Sequence, residues 1–83
     1  MPRFYFDVRD GNDLRPDDDG LEFPTVHAAR VEASRALAEM IKEEMPNGSH
    51  KRIAIEVRSE DRQPLLKVQM TFEVEPLAPP HPN

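Results

Sequence analysis

The residues from Thr25 to Met45 constrain this chain more than any others, because they hold its one long amphipathic period. At 100° per residue, Val26, Ala29, Ala33, Ala36, Leu37, Met40 and Ile41 fall in one apolar stripe, with Glu32, Arg35, Glu39, Lys42 and Glu43 opposite. Thr25 is placed to cap the N-terminus; Ala28 three residues on leaves the cap without a reciprocal glutamate. Pro46 disfavours helical geometry at Met45, and Asn47-Gly48 tolerates positive φ, so the helix is expected to end at Glu44 or Met45. Its polar face mixes both signs of charge, as a helix lying on a sheet does, whereas a membrane-surface helix is basic there. Alanines at 29, 33 and 36 permit close approach to the layer beneath, and Arg30 at the stripe's margin is expected to lie along it.

The flanking segments alternate with period two. Arg3 to Arg9 puts Phe4, Phe6 and Val8 on one face and Tyr5, Asp7 and Arg9 on the other, and Asp10-Gly11-Asn12-Asp13 reads as a turn. A second extended segment is interrupted by Pro16 and an acidic run, and Leu21-Glu22-Phe23 is its most strand-like part; the proline predicts an edge position or a bulge. After the helix, Ile53, Ile55 and Val57 alternate with Arg52, Ala54, Glu56 and Arg58. A polar connection from Ser59 to Pro64 leads to Leu66, Val68, Met70, Phe72 and Val74, which alternate with Lys67, Gln69, Thr71 and Glu73. The order is β-β-α-β-β: an α+β domain over residues 1–74, with a four-stranded antiparallel sheet and one long helix on one face. The pattern leaves strand order open. Residues 75–83 hold four prolines and are expected to be a disordered tail.

A chain of 83 residues forms one domain and buries only about 60% of its unfolded surface. It has no cysteine, so neither a disulfide nor a thiolate metal site can supplement the core, and homodimerisation is the expected supplement. There is no apolar signal region or membrane span, and a cytoplasmic location is expected. The net charge of −5 opposes general attraction to nucleic acid or anionic lipid. The excess is concentrated: residues 1–22 carry seven acidic residues against three arginines.

Asp17-Asp18-Asp19-Gly20 suggests a cation loop, but placing Gly20 sixth in a twelve-residue calcium loop puts Arg15 first and Val26 last, where carboxylates belong. A divalent-metal or small-ligand site built from Asp7, Asp10 and the acidic turn is the alternative to a protein-interaction surface. His27 is the best single acid–base candidate, yet no second histidine stands at ligand spacing and no nucleophile-elbow pattern is present, so no enzymatic activity is expected. No glycine-rich phosphate loop precedes the helix, and Tyr5 is the one outward aromatic of the strands, against nucleic-acid stacking. Arg52, Arg58 and Lys67 share a face with Glu56 and Glu73, which predicts a mixed solvated surface. Val31, Ala38, Ala28 and Met45 form a smaller apolar strip. The function expected is a protein-interaction or regulatory module without cofactor that works through its exposed sheet face, a strand edge or the acidic first hairpin, with Asp17, Asp18 and Asp19 selecting a basic partner and Tyr5 and Asp7 nearby.

Met1-Pro2-Arg3-Phe4-Tyr5-Phe6, Asp10-Gly11, the acidic turn ending in Gly20, Ala28-Ala29, Ile55-Glu56-Val57 and Pro64-Leu65-Leu66 together resemble a family of small bacterial proteins of unknown function. The resemblance spans residues 1–74 and implies no activity, cofactor or catalytic residue. Members often carry histidine where this chain has Asp7, and glycine in the last hairpin turn where it has Arg62 or Gln63.

Overall fold

A computed structural model describes residues 1–43, 48 and 50–78. Five strands and one helix follow in the order β1 (Arg3–Asp10), β2 (Asp13–Arg15), β3 (Leu21–Glu22), α1 (Val26–Glu43), β4 (His50–Arg58) and β5 (Pro64–Glu73). All pairings are antiparallel, and the sheet runs β2-β1-β4-β5 with β3 also against β1. β2 pairs with Val8–Asp10 and β3 with Arg3–Phe4, both on the edge of β1 that faces away from β4. They are two pieces of one edge strand, broken where Pro16 has no amide to offer, so the expected four-stranded sheet gains a fifth short strand. β3 and β4 both run antiparallel to β1, and α1 therefore carries the chain over β1 to its far side.

The alternation predicted for β1, β4 and β5 sets the two faces of the sheet. Phe4, Ile53, Ile55 and Val57 are buried with Ala29, Ala33 and Leu37 of the helix, and Phe6, Val8, Phe23, Ala36, Met40, Ile41, Leu66 and Val68 pack around them. The three buried alanine and leucine positions of α1 have side chains small enough, at Ala29 and Ala33, to seat its backbone close to the sheet. Thr25 caps as expected: its Oγ1 accepts the Ala28 amide at 3.1 Å, and its carbonyl accepts that of Ala29 at 3.2 Å. Val26 departs from the expected stripe. It is 45% exposed, because the first residue of the helix lies at the margin of the contact. Of the smaller strip, Val31 and Ala38 are exposed and Ala28 is half-buried, and Met45 lies outside the described residues. The helix stop at Glu44 or Met45 lies outside the described residues, as do Pro79 to Asn83 of the tail. Within the described part of the tail Leu77 is 99% exposed.

The β4–β5 hairpin closes over Glu60, Asp61 and Arg62. The Ser59 amide donates to the Gln63 carbonyl (2.9 Å) and the Arg62 amide to that of Ser59 (3.0 Å). The Ser59 hydroxyl donates to the Asp61 carboxylate and its oxygen accepts the Gln63 amide at 3.2 Å. Arg62 sits at φ 63°, the left-handed position that such a three-residue loop requires and that glycine usually fills. The glycine implied by the family resemblance is thus replaced here by an arginine held in an unfavourable conformation. Arg62→Gly is expected to raise stability by about 1 kcal/mol in urea unfolding, the relief of the left-handed penalty outweighing the added freedom of the unfolded chain.

Candidate interaction site

The break between β2 and β3 is closed by side chains. Along the outer edge of β1 the amide of Phe6 falls opposite the gap, and Asp17 Oδ2 accepts it at 3.1 Å. Asp17 Oδ1 accepts the amides of Asp19 and Gly20, both at 3.1 Å, which winds the acidic run into a turn. In return the Asp17 amide donates to Asp7 Oδ1 at 2.9 Å. A carboxylate from each strand thus replaces a missing rung of the ladder. Arg3 holds the turn's carbonyls, its guanidinium donating to Asp19 O (2.8 Å) and Gly20 O (3.4 Å), while its own amide donates to Glu60 Oε1 at 2.7 Å.

Gly20 fixes how closely the turn approaches β1. It has φ 70°, and a Cβ there would stand 2.8 Å from the Phe4 carbonyl oxygen and 2.9 Å from Arg3 Cγ. Both the conformation and the space demand glycine.

Asp7 is 5% exposed, on the sheet face opposite the helix. Arg58 reaches diagonally across the ladder and donates to it twice, Nε to Oδ2 at 2.6 Å and an Nη to Oδ1 at 3.2 Å. Burial opposes ionisation of Asp7. The Arg58 hydrogen bond, the Asp17 amide and the charges of Arg58 and Arg62 outweigh it and hold the carboxyl below its ordinary value of 3.8. The Arg58 guanidinium also stands 5.3 Å from the centre of the Tyr5 ring, and the next diagonal repeats the motif, with Arg9 Nε on Glu56 at 2.6 Å. The open face mixes both signs of charge, as its composition predicted, but at Asp7 it is buried and at both diagonals it is paired rather than simply solvated. Neutral imidazole offers one acceptor nitrogen, so a histidine at position 7 could not receive the two Arg58 donors and the Asp17 amide together. Asp7 and Arg58 are a matched pair.

The structure therefore divides the sequence-predicted site residues. Asp7 and Asp17 are brought together, but their oxygens are taken by internal donors; Tyr5 lies half-buried under Arg58; Asp18 and Asp19 are exposed. Asp10 meets Lys51 at 3.5 Å, and among the described residues no three histidine, cysteine or acidic groups cluster to hold a metal ion. His27 is exposed in the first turn of α1, and His81 lies outside the described residues. No helix among the described residues is long and apolar enough to cross a membrane.

Beside the break, on the helix side, a cleft of about 330 Å³ opens between α1 and the outer edge of β1. Phe6, Val8, Leu21, Ala36 and Met40 line it, and Asp17, Asp19 and Glu32 stand among its walls. The sequence puts Phe6 and Val8 on the apolar face of β1 and Ala36 and Met40 in the apolar stripe of α1, where full cover would be expected. What exposes them is width: the helix contacts chiefly β4 and β5, and a helix about 10 Å across covers about two strands spaced about 4.8 Å apart. Strand counting alone carried that signal.

The site and fold define a small α+β domain with one helix and a broken edge strand. The chain belongs to the family described as a domain of unknown function, DUF6894, whose model matches residues 3–71. No curated protein and no solved structure matches it.

Two outcomes are expected. Asp17→Ala should cost about 3 kcal/mol in urea unfolding, because it strands the Phe6 amide and unwinds the turn, whereas Asp18→Asn should stay within about 0.5 kcal/mol of wild type. Because its folded value is depressed, Asp7 contributes stability that is fully present above the ordinary carboxylate range and is lost as pH falls below about 4. Asp7→Asn should lower stability at neutral pH and flatten the acid limb of a melting-temperature profile.

Proposed function

We propose that this domain is a protein-interaction module whose cleft between α1 and the broken edge receives an apolar side chain of a partner segment flanked by lysine or arginine. The observation that carries this reading is an apolar lining with an exposed acid beside it: Leu21 is 52% exposed and Asp19 next to it is exposed, whereas the other lining acid, Glu32, is paired with Arg35 at 2.7 Å. An apolar anchor supplies affinity by leaving water, and rim charges select which anchors enter and speed their arrival. Asp17 acts indirectly, by shaping the wall.

Proteins retained from a lysate by the wild-type domain would be compared with those retained by Leu21→Asp and by Asp19→Lys, and each candidate then purified and titrated. Either substitution is expected to weaken a genuine partner about tenfold, roughly 1.4 kcal/mol, with wild-type affinity falling as salt is raised. Purified partners that bind both variants as tightly as wild type would overturn the proposal. Asp17 is excluded from this test because its loss changes the fold.

A further inference from the structure

β5 presents a ten-residue strand whose outer edge pairs with nothing among the described residues. Its peptide orientation follows from the break at the opposite side of the sheet. The Phe6 amide points away from β4, so in the alternation of antiparallel pairing Ile53, Ile55 and Val57 turn their peptide groups toward β5. Arg52, whose carbonyl accepts the Gly11 amide at 3.4 Å, faces the other way, as that alternation requires. Across the β4–β5 register, Leu66, Val68, Met70 and Phe72 then spend their peptide groups on β4, while Lys67, Gln69, Thr71 and Glu73 turn theirs outward.

We infer that this edge pairs with the same edge of a second copy, antiparallel about a two-fold axis at Met70. The edge is self-complementary. In that register Lys67 stands opposite Glu73 of the other copy and Gln69 opposite Thr71, so the four outward-facing positions exchange backbone hydrogen bonds and the charges on the open face oppose by sign. On the helix face Leu66 meets Val74, Val68 meets Phe72, and Met70 meets itself. Met70 and Val74 are 38% and 55% exposed in the single chain and Phe72 is half-buried, so the pairing covers apolar surface that one helix leaves bare. A two-fold axis at Gln69 would instead set Lys67 against Thr71 and Glu73 against Leu65, leaving both charges without an opposite partner. Glu73 lies 3.9 Å from His50, with both side chains more than half exposed, so its carboxylate can turn to a second lysine. The partner is a second copy because this strand, run antiparallel to itself, matches on both faces; the closed dimer removes an edge that would otherwise template open-ended association. This surface is the sheet edge opposite the cleft, and its fate is independent of the partner proposed there.

Sedimentation equilibrium across a concentration series tests the pairing. Wild type is expected to pass from monomer to dimer. Thr71→Pro removes an outward amide and no β4 hydrogen bond, so it is expected to keep the wild-type circular dichroism and remain a monomer. Lys67→Glu and Glu73→Lys should each weaken the dimer, and the two together restore it. The chain has no native cysteine, and Met70→Cys places one thiol on the axis at a closely spaced, non-hydrogen-bonded pair, so mild oxidation is expected to cross-link it faster than Val68→Cys. A wild-type chain monomeric at every concentration, a dimer unaffected by Thr71→Pro, or cross-linking no faster at Met70 than at Val68 would overturn the inference.

Discussion

The sheet depends on a carboxylate standing in for a peptide. β1 is a central strand, and its Phe6 amide points to an edge where the neighbouring strand has been interrupted. An amide left there without an acceptor would cost about 1–3 kcal/mol, a large share of the stability of so small a domain. Asp17 removes that cost, and Asp7 takes the Asp17 amide in exchange. The break can then exist without fraying the strand beside it, and the turn it creates is drawn against β1 as closely as Gly20 permits. Arg58 completes the arrangement from the far side of β1, since Asp7 could not stay ionised in its buried position without a nearby cation.

The second constraint is geometric. One helix covers about two strands, and this sheet is four strands wide at its broadest, with α1 seated over β4 and β5. The helix side of β1 is consequently only partly roofed, which opens the cleft. At the other border Met70 and Val74 extend past the roof. The cleft and the bare border of β5 arise from the same shortage of cover, and the described residues of this cysteine-free chain of 83 supply no second layer to remedy it.

Periodicity made most of the fold legible. The alternation in β1, β4 and β5 placed Phe4, Ile53, Ile55 and Val57 correctly, and the apolar stripe and Thr25 cap did the same for α1. Pro16 marked the interrupted edge. What periodicity does not carry is pairing: nothing in the alternation of Arg52 to Arg58 says that this strand lies beside β1, so the link between Asp7 and Arg58 could not be read. The acidic turn was legible as a turn and misleading as a surface. Three adjacent aspartates look equivalent in sequence, yet Asp17 is a backbone acceptor while Asp18 faces water, a difference fixed by which one lies opposite the gap. Arg62 was hidden for a similar reason, because a left-handed φ shows in sequence only when glycine or asparagine announces it.

The passage of α1 over β1 has a further meaning for how the chain assembles. The strand that ends in the middle of the sheet is the first to be made, and its inner neighbour arrives only after the whole helix; Asp7 and Arg58 are 51 residues apart. Until β4 emerges, the first hairpin has an uncovered apolar face, one bare edge and an Asp7 still without its Arg58 partner, so it lacks most of what would stabilise it alone. Closure of a long loop must come before most of the sheet's reward, a cost that local helical contacts avoid, and it leaves the nascent first half to be shielded by whatever surrounds it during synthesis.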